Sequence, residues 1–186
     1  MIRIKTFFKI VKRWIIVPEM LLIASCISEP IDDTPSGSKL NIGDSIPDFE
    51  IKLSNETNLC TNDLIGKNCL LTFFHTQCSD CQKELPIINE VYLAHQQDTT
   101  WHFLCISRAE EDQSVNRFWQ QHNLSLPYSA QPNDQIYRLF AYNTVPLIYV
   151  IDKEGIIRAI YTDNPLASRE ELEQWFIDTK KAFYLD

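Results

Sequence analysis

The 186-residue chain reads as an α/β domain in which a central mixed β-sheet is flanked by helices on both faces. Three observations predict this. Two runs, Cys69-Leu70-Leu71-Thr72-Phe73-Phe74 and Trp101-His102-Phe103-Leu104-Cys105-Ile106, are apolar almost throughout, as strands covered on both faces are. Each is followed by a segment with apolar residues at helical spacing: Ser79 to His95, with Leu85, Ile88, Val91 and Tyr92, and Glu110 to His122, with Val115, Phe118 and Trp119. Two further strand-like runs, Pro146 to Ile151 and Ile156 to Tyr161, are joined by Asp152-Lys153-Glu154-Gly155, a hairpin signal.

Residues 1–25 differ in composition from everything after them. Arg3, Lys5, Lys9, Lys12 and Arg13 lead into Trp14-Ile15-Ile16-Val17 and then Met20-Leu21-Leu22-Ile23-Ala24-Ser25-Cys26, the pattern of an export signal. Ile23-Ala24-Ser25-Cys26 resembles the lipobox of bacterial lipoproteins, which implies cleavage before Cys26 and a lipid anchor on that residue. Pro18 and Glu19 interrupt the apolar stretch, and a charge there costs about 2.5–3.5 kcal/mol on insertion. Even uninterrupted, the stretch is short for a membrane-spanning helix, so an uncleaved anchor is the second choice. Residues 26–39, rich in Pro, Asp, Ser and Gly, are expected to form a flexible tether, leaving residues 40–186 as one domain with a single core.

Charge excludes one class of partner. The chain carries a formal −8, and removing the five basic and one acidic residues of 1–25 leaves −12, so nucleic acid is not expected to bind. The basic leader is the part suited to anionic lipid.

Within the domain, Asp48 to Leu53 alternates polar and apolar as a half-buried strand does, and Asn55 marks a turn. Asn58 to Ile65 is expected to be a short connection with one helical turn capped by Thr61 or Asn62. Pro86 should kink the Ser79–His95 helix. Pro127-Tyr128-Ser129 reads as a short extended piece and Asp134 to Phe140 as a short helix. The last helix runs from about Ser168 to Phe183, with Ser168 and Glu171 as a capping box and Leu172, Trp175, Phe176 and Phe183 facing inward.

The chemistry concentrates at Cys78-Ser79-Asp80-Cys81, directly after the first buried strand and at the start of a helix. Orphan N–H groups and the macrodipole at a helix N-terminus favour a thiolate on the first cysteine, and the second, three residues on, lies close enough to form a disulfide with it. Asp80 acts against that thiolate and favours a reductant-like poise. Besides Cys26, the remaining cysteines are Cys60, Cys69 and Cys105. A Cys60–Cys69 bridge in an oxidising compartment is one alternative; the other is that Cys69 and Cys105, which fall inside strand runs, are buried inert cysteines. Half of a metal site is an alternative for the pair, but no second Cys-x-x-Cys exists. His75 would complete only three ligands where zinc takes four, so no metal is expected.

From about Ile42 onward the layout resembles the thioredoxin fold, and more closely the TlpA/ResA-like branch of exported thiol–disulfide oxidoreductases. Ile42-Gly43-Asp44-Ser45-Ile46-Pro47-Asp48-Phe49 resembles that branch's opening segment, and Leu59 through Gly66-Lys67 its lead into the central strand. Cys78 through Pro86 is similar to its C-x-x-C-x-x-E-x-P pattern, and Thr144-Val145-Pro146 to the loop whose proline is cis. The resemblance implies Cys78 as nucleophile, Cys81 as resolving thiol and Glu84 as proton-handling carboxylate. It also implies Val145 and Pro146 as the place where an extended substrate segment pairs in strand fashion. No bound cofactor is implied. The implied partners are disulfide-containing exported proteins, apocytochrome c among them, and a membrane thiol reductase as electron donor. The implied location is a membrane-anchored lipoprotein facing the periplasm or outer membrane.

Three features depart from the family pattern: Gln77 replaces the usual tryptophan, Thr72 the strand acid of thioredoxins proper, and Ser79-Asp80 a proline-containing pair. Two other functions are compatible with the fold. A peroxiredoxin-like peroxidase shares the opening segment, but its Thr-x-x-Cys context is missing, Thr76 being only two residues before Cys78. A non-catalytic redox-sensing or binding module would use the cysteine pair to lock a docking surface.

Overall fold

The structure is a computed structural model that describes residues 37–183. The leader over 1–25, Cys26 and most of the expected tether lie outside the described residues. No helix among the described residues is long and apolar enough to cross a membrane.

A five-stranded sheet organises the domain. Its strands are β3 (Asn68–Phe74), β4 (Trp101–Ser107), β5 (Tyr128–Ser129), β6 (Leu147–Ile151) and β7 (Ile157–Tyr161), in the spatial order β5-β4-β3-β6-β7. β3 pairs in parallel with β4 on one side and antiparallel with β6 on the other. The parallel half is crossed by α2 (Ser79–His95) and α3 (Asp112–Gln121), and the antiparallel half is the β6–β7 hairpin. Outside this sheet, β1 (Glu50–Lys52) and β2 (Asn58–Cys60) form a small antiparallel pair, followed by α1 (Thr61–Leu64). The helices α4 (Tyr137–Phe140) and α5 (Arg169–Phe183) complete the chain.

β3 divides the core because successive side chains alternate across a strand. Leu70 and Phe74 face a cluster built from Cys81, Leu85, Ile88 and Val91 of α2, Val115 and Trp119 of α3, and Leu172 and Phe176 of α5. Cys69, Leu71 and Phe73 face the other cluster, with Phe49, Ile51, Leu64, Tyr137 and Phe140. Phe176 pins α5 down: its ring lies 4.2 Å from the His95 ring, 4.0 Å from Trp101 and 5.4 Å from Phe103, centroid to centroid. The helix start is tied as the capping pattern predicts, with Glu171 accepting the Ser168 N–H at 2.8 Å and the Ser168 hydroxyl accepting the Glu171 N–H at 3.2 Å.

Several local expectations change. Asn58–Cys60 forms a strand, because the turn at Asn55 and Glu56 sets Leu59 opposite Ile51. Cys60, not Thr61 or Asn62, is the α1 N-cap, and the Asp63 carboxylate accepts its N–H at 2.8 Å. Thr61 is drawn off to accept the Phe49 N–H at 2.8 Å. The helix expected from Ser79 to His95 is present over that span as α2, with Pro86 inside it. Cys60 and Cys69 do not bridge: all five described cysteines are free thiols, and Cys69 and Cys105 are buried. The Asn164–Pro165 bond is cis, which nothing local in the sequence indicates.

Residues Gly37 to Lys39 pack on the domain. Tyr142 N–H donates to Gly37 O at 2.8 Å, Lys39 N–H donates to Phe140 O at 2.8 Å, and the buried Ser38 hydroxyl meets the Tyr149 hydroxyl at 2.8 Å. Gly37 is required at its position, since φ is +90° and a Cβ would overlap the Thr144 side chain.

Phe176→Ala should lower unfolding free energy by about 3–5 kcal/mol in a urea titration, because the ring fills the seam between α5, β4 and the end of α2. A loss below about 1 kcal/mol would show that α5 is held by other contacts.

Candidate active site

Strand direction determines which loops meet. β3 and β4 run in parallel with Phe74 opposite Ser107, so their C-terminal ends lie at the same edge of the sheet. β6 runs the other way with Leu147 opposite Phe73, so the residues before β6 arrive at that edge too. Three segments converge there: 75–78 after β3, 108–110 after β4 and 143–146 before β6. Such a point, where strand order switches at the carboxyl ends, is where open α/β sheets carry their sites.

Cys78 is the N-cap of α2 and is partly exposed. Its sulfur accepts the Cys81 N–H at 3.4 Å, and its thiol donates to the Val145 carbonyl at 3.3 Å. The Val145–Pro146 bond is cis. Cys81 is fully buried one turn into the helix, and that burial pushes its thiol well above the ordinary range. The two thiols therefore differ in access and in proton affinity. Asp80 does not stand alone between them, because Lys83 Nζ is 2.8 Å from its carboxylate.

Glu84 follows Cys81 by one turn and is 0% exposed. Neither carboxylate oxygen has a hydrogen-bond partner of ordinary geometry among the described residues. Burial raises its pKa to about 7, with the nearby Ala167 backbone N–H opposing the shift and the carboxylates of Glu171 and Asp80 adding to it. A buried carboxyl with so little compensation is costly when charged, so its titration moves into the neutral range, where both protonation states are populated.

The loops on either side are held by residues that local sequence reading passed over. Thr76, just before the cysteine pair, donates its N–H to Glu110 Oε2 at 2.8 Å and its hydroxyl to Glu110 Oε1. Its carbonyl accepts from Gln82 Nε2 at 2.8 Å. Glu110 was expected to open the second helix, but α3 begins at Asp112 and the buried Glu110 side chain turns to Thr76 instead. Across the cleft, Arg108 Nη1 donates to Asn143 O at 2.9 Å and the Tyr137 hydroxyl donates to Thr144 O at 3.0 Å. The imidazole of His75 faces neither thiol: its Nδ1 accepts the Gln77 N–H at 3.1 Å and lies 3.7 Å from Glu110 Oε1. Gln77, at the position of the missing tryptophan, is exposed, whereas Thr72 is buried opposite Cys105. The sequence signal for Arg108 and Glu110 is topological, since residues just past a strand parallel to β3 must fall beside the cysteine loop.

Residues 42–160 match the AhpC/TSA family. The chain belongs to that family. Among curated proteins it is 27% identical over 138 residues to the thiol-disulfide oxidoreductase ResA of Bacillus thuringiensis subsp. konkukian, covering 74% of this chain and 78% of the relative. A solution structure from Bacteroides thetaiotaomicron, provisionally described as a protein disulfide isomerase, superposes with a TM-score of 0.70 at 26% identity, covering 78% of this chain and 91% of that one. The thioredoxin domain of a thiol-disulfide oxidoreductase from Bacteroides vulgatus superposes at 0.60 with 22% identity, covering 73% and 98% respectively, a likeness of fold. This AhpC/TSA family member thus has the thioredoxin fold and groups with thiol–disulfide oxidoreductases.

The raised Glu84 pKa has a stability consequence with a definite sign. The folded protein holds this proton up to about pH 7, while the unfolded chain releases it near the ordinary 4.5. Stability from this group is therefore complete below pH 4.5 and falls as pH rises to about 7, by on the order of 3 kcal/mol. Glu84→Gln should remove that slope and be the more stable form at pH 8, measured by urea unfolding across pH 4.5 to 8. An unchanged slope would mean that Glu84 is charged in the folded protein at neutral pH.

Proposed function

We propose that the chain, a thiol–disulfide oxidoreductase, acts through Cys78 and Cys81 on disulfides of exported proteins while tethered to a membrane through Cys26. The observation that supports the chemistry is the asymmetry of the pair: a partly exposed sulfur at a helix N-terminus, in contact with the Val145 carbonyl, and a buried partner one turn behind it. Cys78 as thiolate attacks one sulfur of the partner's disulfide, forming a mixed disulfide and expelling the other sulfur as a thiolate. Cys81 then attacks the Cys78 sulfur, closing the Cys78–Cys81 disulfide and releasing the second partner thiol. Two electrons pass to the partner, and a membrane thiol reductase returns them.

The second step needs Cys81 deprotonated in a site that strongly favours its thiol form. Glu84, buried one turn away and titrating at about 7, is suited to take that proton. The backbone of Val145 beside Cys78 is suited to pair with an extended substrate segment. Apocytochrome c is one exported thiol protein that fits. The export reading rests on the basic leader and on Ile23-Ala24-Ser25-Cys26, and it puts the domain on the periplasmic or outer-membrane side.

Cys78→Ser should abolish dithiothreitol-driven insulin reduction, and Cys81→Ser should accumulate a mixed disulfide whose partners can be identified from cells. Glu84→Gln should slow exchange about ten- to hundredfold near pH 7 and flatten its pH dependence, within the range of general-base contributions. Exchange surviving Cys78→Ser would sink the dithiol reading, and rapid peroxide consumption with no disulfide reduction would select the peroxidase. Cys26→Ala should move the protein from the membrane to the soluble fraction; retention there would point to an uncleaved leader.

A further inference from the structure

We infer that Arg108-Ala109-Glu110 is a brace that positions the two loops of the site against each other, with Glu110 placing Cys78 and Arg108 placing Val145. The inference rests on the reading of Cys78 as nucleophile. Every polar atom of Thr76 is engaged: Glu110 takes its N–H and its hydroxyl, and Gln82 donates to its carbonyl. Cys78 follows two residues later, its own N–H donating to His75 O at 3.0 Å. Glu110 therefore fixes the turn from which the reactive sulfur projects.

The other end of the brace acts on the opposite loop. The Arg108 guanidinium lies 4.8 Å from the centre of the Tyr137 ring and bonds Asn143 O, while Tyr137 bonds Thr144 O. The next carbonyl in the chain, that of Val145, is the one left to meet the Cys78 thiol. The brace is anchored to the sheet and to the segment after β5, since Arg108 N–H donates to Phe74 O at 2.8 Å and Glu110 N–H donates to Gln131 O at 2.7 Å.

Ala109 makes the division possible. In an extended chain, side chains two apart share a face, which would aim residues 108 and 110 at the same loop. Ala109 has φ of +56°, in the left-handed region that residues other than glycine use sparingly, and the alternation is broken there. A carboxylate suits position 110 because its two oxygens can accept both Thr76 donors at once.

The test is a kinetic comparison with insulin as substrate and iodoacetamide as a small probe of Cys78. Glu110→Ala should lower kcat about ten- to hundredfold and move the pH profile of Cys78 alkylation, because a misplaced reacting group costs rate steeply. Glu110→Gln, which keeps an acceptor for the Thr76 N–H, should recover kcat to within about threefold, a smaller loss than misplacement gives. Arg108→Ala should raise KM for insulin several-fold and leave the alkylation profile in place. Should Glu110→Ala fail to fold, Thr76→Val, which removes only the hydroxyl, should shift the alkylation profile in the same direction. Wild-type kinetics in Glu110→Ala or Thr76→Val, or a Glu110→Gln variant as impaired as Glu110→Ala, would overturn the brace. Cys78→Ser serves as the control that separates the two ideas, since activity retained there would refute the nucleophile assignment and not the brace.

Discussion

The site depends on β3 having neighbours of opposite direction. Parallel pairing with β4 brings the chain after Phe74 and the chain after Ser107 to one edge, and antiparallel pairing with β6 brings the chain before Leu147 to the same edge. Register makes the arrangement specific, because a slip of one residue would exchange the two faces of β3 and put Phe73 where Phe74 packs. With the faces filled by two separate aromatic and aliphatic clusters, such a slip would expose or overfill both. The convergence of Cys78, Glu110 and Val145 is thus a product of how the core is packed.

Burial then differentiates groups that are similar in sequence. Cys78 and Cys81 are the same residue type three positions apart, yet the helix leaves one at its open N-terminus and carries the other into the buried cluster that includes Phe74 and Leu85. Glu84, a further turn along, enters the same interior, and among the described residues only the Ala167 backbone N–H offsets its desolvation. Desolvation raises the proton affinity of both Cys81 and Glu84, far more for the thiol, so the carboxyl titrates in the neutral range while Cys81 keeps its proton. By contrast, Asp80, Lys83 and Gln77 stay at the surface, where charges are screened and partners can approach.

Much of the architecture was legible because it is written in local patterns. The apolar runs at 69–74 and 101–106, the helical spacing from Ser79 to His95, the Asp152–Gly155 hairpin and the Ser168–Glu171 cap each rest on periodicity or on a turn residue, and each element stands where its pattern lies. Elements that depend on a partner were less legible. Asn58–Cys60 is a strand only because Ile51 lies opposite Leu59, and Glu110 leaves the helix its sequence suits because Thr76 offers two donors across 34 residues of chain. The first reason needs the hairpin to close before it is seen, and the second lies outside any local window.

By itself the sequence determined the fold class, the order of the layers and the placing of a cysteine pair at a helix start, since spacing and hydropathy act along the chain. Only the tertiary structure decided how the two thiols differ, that Glu84 is wholly enclosed, and that Arg108, Glu110 and Tyr137 hold the loops on either side of Cys78. Those properties arise from desolvation and from hydrogen bonds between residues distant in the chain, and both are set by the register of β3 against β4 and β6.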